Sequence, residues 1–231
     1  FGHIRTSFPV TIYDCQFTYD LQPLLYQPKT NGVGATITHD ATNRCALMTL
    51  SSTPTGGYAY LQSWEDMRYQ PGKSQVIKIT FNMNSGVTDI VKFARYGDST
   101  NALEFRLNGT VPEFRIVSAT DEGNQTKTQS QWNVDKMDGN GRSKINIDFS
   151  TTQILIIDFQ ALYVGRVRVG FQIDGKTYYC HYFNNANKSI YSYIQTANLP
   201  ITVGMTCTGT VSSTMRFYCS EVESEGGVED A

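Results

Sequence analysis

Three acids at alternate positions, Glu221, Glu223 and Glu225, are the residues here whose type and spacing most directly suggest chemistry. Alternation places carboxylates on one face of a strand, and glycoside cleavage needs two carboxylates facing each other across a cleft. These three, however, stand in EVESEGGVEDA (221–231), which reads as an acidic, Gly-containing tail or linker beyond the last strand. Asp148 and Asp158 are isolated among apolar neighbours and read as strand-end or turn residues. A nucleophile would need a positioned base. Of the three histidines, His3 lies in the N-terminal segment, His39 in a turn-rich region and His181 on a strand, and no GxSxG elbow accompanies them. No catalytic residue is therefore assigned. Asp135, Asp138 and Asn140 alternate with Gly139 and Gly141 and offer oxygens to calcium. The distal Glu of a calcium loop is missing, and Asp, Asn and Gly turn preferences account for the run. Apart from that calcium option, no cofactor is expected. The five cysteines, at 15, 45, 180, 207 and 219, have no zinc-ligand spacing. A reduced compartment fits them, with Cys180 and Cys207 as small core residues, and one or two disulfides remain open.

Strands must position these groups. In Val164–Asn187, Val167, Val169, Phe171 and Ile173 alternate with Arg166, Arg168, Gly170 and Gln172, and Asp174-Gly175 follows. Asp-Gly between alternating runs signals a two-residue hairpin, because both central residues of a type I′ turn need positive φ. The implied register sets Phe171 against Tyr178, Val169 against Cys180 and Val167 against Tyr182. On the polar face Gly170 meets Tyr179 and Arg168 meets His181. Arg166, Arg168, Tyr179 and His181 are thus the candidate interface or glycan-binding face.

Short strands separated by turn signals recur along the chain, among them Gln75–Met83, Ala102–Leu107, Glu113–Val117, Lys144–Ile147 and Ile201–Cys207. Asn108-Gly109 joins two of them as a further hairpin, whereas Gln27–Gly34 and Thr120–Gln131 read as connections. The pattern predicts an all-β, two-layer antiparallel sandwich of jelly-roll or concanavalin-like type with little helix. Residues 1–220 are expected to form one domain. Charged residues are only 17% of the 231 and the net charge is −2. Without a basic block, nucleic-acid binding has no electrostatic support. No apolar run reaches eighteen residues, so no membrane-spanning helix is expected. Both ends read as cuts from a longer polypeptide.

The segments YQPGKSQVIKITF (69–81), ARYGDSTNALEFRLNG (94–109), 131–187, ANLPITVGM (197–205) and CSEVESEGG (219–227) resemble a β-sandwich module of virion proteins from tailed bacteriophages and large DNA viruses. The block 131–187 is the specific part, although Ala161-Leu162-Tyr163 stands where Trp-Leu-Gly is common. The resemblance implies a non-enzymatic fibre, spike or capsid-decoration protein, located in the virion and assembled in the host cytoplasm. It also implies a homo-oligomer, a trimer favoured, contacting other virion proteins. The alternative is a lectin-like module that attaches to host-surface glycans through exposed tyrosines. A glycan-degrading enzyme of lectin-like fold ranks last, since such sandwich glucanases carry ExDxE-type acids on a strand and the alternating acids here fall in the tail.

Overall fold

A computed structural model of the chain describes residues 9–70, 72–160, 163–196 and 198–225. His3, Ala161, Leu162 and the 226–231 part of the acidic stretch lie outside them. The strands are β1 (Val10–Gln16), β2 (Tyr26–Asn31), β3 (Ala35–Asp40), β4 (Cys45–Thr53), β5 (Tyr58–Ser63), β6 (Met67–Arg68), β7 (Ser74–Asn82), β8 (Ile90–Gly97) and β9 (Ala102–Asn108). They continue with β10 (Val111–Val117), β11 (Gln125–Thr128), β12 (Thr152–Phe159), β13 (Arg166–Ile173), β14 (Lys176–Asn184), β15 (Asn198–Leu199), β16 (Ile201–Cys207) and β17 (Val211–Glu225).

The first sheet runs β14-β13-β12-β7-β17-β4-β3, with β1 also paired to β17; the second runs β11-β10-β9-β8-β16-β5-β2. Every pairing is antiparallel. This is the expected jelly-roll sandwich, and the only helix among the described residues is one 3₁₀ turn, Gln129–Gln131.

Alternation builds the core. In β7, Ile77, Ile79 and Phe81 point inward between half-buried Val76, Lys78 and Thr80. Facing β9 contributes Leu103, Phe105 and Leu107. The layers lock through aromatic rings: Phe105 lies 6.0 Å from Phe81, 5.2 Å from Phe171 and 5.3 Å from Phe114, centroid to centroid. Offset and edge-to-face ring contacts at such distances add to simple burial.

Two bulges decide which residues face out. In β17 the register shifts between Phe217 and Cys219, so Met215 and Phe217 are buried before it and Ser220, Val222 and Ser224 after it. Glu221, Glu223 and Glu225 therefore stand in a strand, on the outer face of the first sheet, and not in a tail. In the hairpin the turn and the pairs Phe171–Tyr178 and Gly170–Tyr179 are as expected, but a shift between Val169 and Gly170 makes Cys180 the extra residue. Val169 then pairs with His181, Arg168 with Tyr182 and Val167 with Phe183, not with the partners that the turn alone implied. The expected strand at Lys144–Ile147 is a single bridge, Asp138 to Asn146.

Candidate glycan-binding groove

The hairpin face predicted from sequence is divided by the bulge. Arg168 and Tyr179 remain together on the outer face of the first sheet, both bound to buried Asp158: Tyr179 donates to Oδ2 at 2.8 Å, and Arg168 Nη2 pairs with the same oxygen. Burial and the Asp158 charge push the Tyr179 pKa up. Arg166 lies nearby, donating to Asn184 Oδ1 at 2.7 Å, with its guanidinium 5.4 Å from the Tyr182 ring. His181 is on the opposite, inner side, 4% exposed and edge-on to Phe183 at 4.5 Å. Its Nδ1 accepts from the Asn133 amide at 3.2 Å. Burial, with Lys127 adding to it, lowers its pKa to about 4. The turn alone implied Arg168 opposite His181; the bulge pairs His181 with Val169, and Lys127 is the cation that acts on the imidazole.

The other candidates are accounted for locally. Glu221 and Glu223 share Lys78 at 3.2 and 3.0 Å, with both acids partly exposed. The Asp135 carboxylate accepts from the amides of Met137 (2.8 Å) and Ser143 (2.7 Å), so its oxygens staple the 135–143 loop. Among the described residues no three His, Cys, Asp or Glu side chains are grouped to hold a metal ion. No helix among them is long and apolar enough to cross a membrane. Cys180 and Cys207 are buried.

A more densely organised site lies on the outer face of the second sheet. Cross-strand register sets Gln62, Thr202, Arg95, Glu104 and Arg115 in one row across five strands, and Tyr60, Gly204, Phe93, Arg106 and Glu113 in the next. Leu103, Phe105 and Leu107 of β9 are inward, so Glu104 and Arg106 must point out. Glu104 is nevertheless only 3% exposed. Arg115 Nη1 donates to its Oε1 at 2.8 Å, Arg95 Nη1 lies 3.5 Å from Oε2, and Arg106 Nε lies 4.0 Å from Oε1. The same Arg106 Nε donates to Glu113 Oε2 at 2.6 Å. Opposite charges directly across a strand pair stabilise each other, and here the ladder is largely withdrawn from water. Arg95 packs 4.2 Å from the Phe93 ring. Burial lowers its pKa, while Glu104 opposes that shift.

Arg95, Glu104, Arg106 and Arg115 line one side of an open groove of about 560 Å³, and Tyr58 and Tyr60, 5.2 Å apart, line the other, beside Lys29; Glu113 does not line it and is tied to it through Arg106. Gly204 stands between Tyr60 and Phe93 in its row, where a Cβ would run into Tyr60 and the Ala59 carbonyl. Amphipathic tyrosines beside convergent polar groups suit a sugar ring, which has apolar faces and a hydroxylated rim. Glu104 and Glu113 touch the same Arg106 nitrogen, so their oxygens are no further apart than those two contacts allow. That limit accommodates the carboxyl separation of a retaining glycosidase, about 5–5.5 Å, and falls short of nearly all of the inverting range, about 6.5–9.5 Å. Sequence reasoning missed this pair. Part of the signal was present, since LEFR (103–106) and EFR (113–115) flank one turn; but a turn at Asn108-Gly109 would set Glu104 against Glu113, whereas the loop falls one residue later, at Gly109-Thr110, and sets Glu104 against Arg115 and Arg106 against Glu113.

No protein-family model matches the chain, and no curated protein matches it in sequence. Solved structures do. An endo-1,3-β-glucanase from Streptomyces sioyaensis superposes with a TM-score of 0.62 at 10% identity, covering 96% of this chain and 99% of its own. A Bacillus licheniformis β-glucanase gives 0.55 at 11%, covering 95% and 99%. An immunostimulatory antigen and pseudo β-1,3-glucanase of Mycobacterium tuberculosis gives 0.57 at 10%, covering 92% and 98%. The chain has the β-glucanase jelly-roll fold.

This finding corrects the reading drawn from the phage-like segments. The matched structures include glucanases and glycosyl hydrolases by name, and those named are not virion fibres, spikes or decoration proteins. The non-enzymatic role and the virion location rested on that resemblance and fall with it. The segments that carried it, a turn cluster and an alternating Asp-Gly hairpin, are what a jelly roll needs for folding. They reported the fold and not its use.

Proposed function

We propose that this chain processes glycans, seating a sugar chain in the groove of the second sheet and cleaving or transferring a glycosidic bond with Glu104 and Glu113. The observation that carries this is Glu104 lining an open groove with two tyrosines, and Glu113 held on the same Arg106 guanidinium, in a fold shared with the solved glucanases. The neighbours also include an apo transglycosylase, which supports transfer alongside hydrolysis. Cleavage needs one carboxyl group as acid and a second as nucleophile or base. Glu104, fixed by three arginines, suits the role that demands no movement. Glu113, bound by Arg106 alone, is the group that a sugar hydroxyl can draw away from its partner.

Binding and turnover are best measured separately on linear β-1,3-glucan and mixed-linkage β-glucan, by calorimetry and by release of reducing ends. Glu104→Gln and Glu113→Gln should each lower turnover by about 100-fold or more, as expected for losing a general acid or base, with the circular dichroism spectrum unchanged. Turnover lost in Glu223→Gln but kept in both other variants would move the site to the first sheet. Neither binding nor turnover on any glycan tested would overturn the reading.

A further inference from the structure

We infer that the groove selects an anionic sugar, one bearing a carboxylate or a sulfate ester, over a neutral one. This rests on the reading of the groove as the glycan site and names the class of glycan it takes. Four cations line it: Lys29, Arg95, Arg106 and Arg115. Glu104 and Glu113 are bound by the arginines, and the Asp98 charge also acts on Arg95, which leaves the cations in excess by one. Asp98 also lines the groove, but its carboxylate accepts from the Thr100 and Asn101 amides and closes its own turn.

Two donors are left for a ligand. The Arg95 Nε is buried and has no partner among the described residues. An unmet buried donor is costly, and a charged acceptor meets it better than a neutral hydroxyl. Lys29 donates only to the neutral Gln62 Oε1 at 3.3 Å and has no carboxylate partner among the described residues. These donors flank the aromatic wall. Lys29 Nζ is 6.0 Å from the Tyr60 centroid, Tyr60 is 6.3 Å from Phe93, and Phe93 carries the Arg95 guanidinium. A sugar ring resting on Tyr60 therefore has a cation on either side. Low-dielectric walls and a one-sign excess raise the attraction for an anion and make it sensitive to salt.

The test uses one β-glucan hexasaccharide in three forms: neutral, oxidised to uronate at C6, and sulfated at O6. Calorimetry with the full chain at low and physiological salt should show at least one acidic form binding about tenfold or more tighter than the neutral one. The advantage should shrink as salt rises. Whichever acidic form binds tighter identifies the anion. Lys29→Gln and Arg95→Gln should each reduce the advantage severalfold; Lys29 lies on an edge strand, so its replacement probes the charge even where the Arg95 variant fails to fold. Equal or tighter binding of the neutral form would overturn anion selection and leave the glycan site standing. Binding of none of the three would overturn both. An advantage unchanged in a folded Lys29 or Arg95 variant would place the anion elsewhere and overturn this inference.

Discussion

Glu104→Ala should be the most destabilising single change on the outer face of the second sheet. The carboxylate is 3% exposed and is approached by Arg95, Arg106 and Arg115, whose side chains are 13%, 20% and 16% exposed. Removing it leaves guanidinium groups close together and drawn back from water. Breaking a buried ion pair from one side costs about 3–5 kcal/mol. The groove is open on one side, so the lower end applies, about 3 kcal/mol. For a chain of this size that corresponds to a fall in Tm of about 6–12 °C. Glu113→Ala removes one charge-assisted bond, to Arg106, and should cost about 1.5–2 kcal/mol. Equilibrium unfolding in urea with unchanged m-value measures both. A Glu104→Ala cost under about 1 kcal/mol, or a larger cost for Glu113→Ala, would show that these charges are solvated independently. The desolvated charge network on which the groove argument rests would then not exist.

Further outcomes follow from other parts of the fold. Phe171→Ala should cost about 3–5 kcal/mol, because the ring is fully buried among Phe105, Phe114 and Phe149; Arg168→Ala, which strips buried Asp158 of its cation, should cost less, about 1–3 kcal/mol, and equal urea midpoints for the two would refute the assignment of faces. His181 is held near pKa 4 in the folded chain against about 6.5 unfolded. The unfolded chain therefore binds the proton first, and stability should fall by about 2–3 kcal/mol as pH drops from about 6.5 to about 4. His181→Gln should remove that slope in urea titrations at pH 7 and pH 4; an unchanged slope would exclude His181 as its source. Gly204→Ala should destabilise by about 1–3 kcal/mol by overpacking against Tyr60 and, by displacing that ring, weaken glycan binding in calorimetry; an intact, equally stable variant would mean that there is room beside Tyr60.

What was legible in the sequence was whatever short-range physics controls. Ile77, Ile79 and Phe81 alternate with polar residues, and Asp174-Gly175 supplies positive φ at both turn positions, 50° and 74°; β7 and the β13–β14 turn could therefore be located from the residues alone. The two edge strands of the second sheet escaped. β2 holds Pro28 and pairs only with β5, and β11 is the polar run QTKT paired only with β10. Such strands are held by a neighbour and carry no apolar period of their own. The bulges at Cys180 and in β17 escaped for a related reason. One extra residue reverses inside and outside for everything beyond it, and only packing against the opposite sheet selects where it goes. That reversal buried His181 and turned Glu221, Glu223 and Glu225 from a supposed tail into a strand face. Although the pairing of Glu104 with Arg115 and of Arg106 with Glu113 depends on the loop falling at Gly109-Thr110 and not at Asn108-Gly109, the alternating charges of LEFR and EFR lay within one short hairpin and were available to sequence reasoning. Their convergence with Lys29, Tyr60 and Arg95 was not, because those residues come from separate strands that meet only when β16 joins β5 to β8. Alternation and turn chemistry act over a few residues and determine which way a side chain points; a site assembled across a sheet exists only after distant strands have closed on one another.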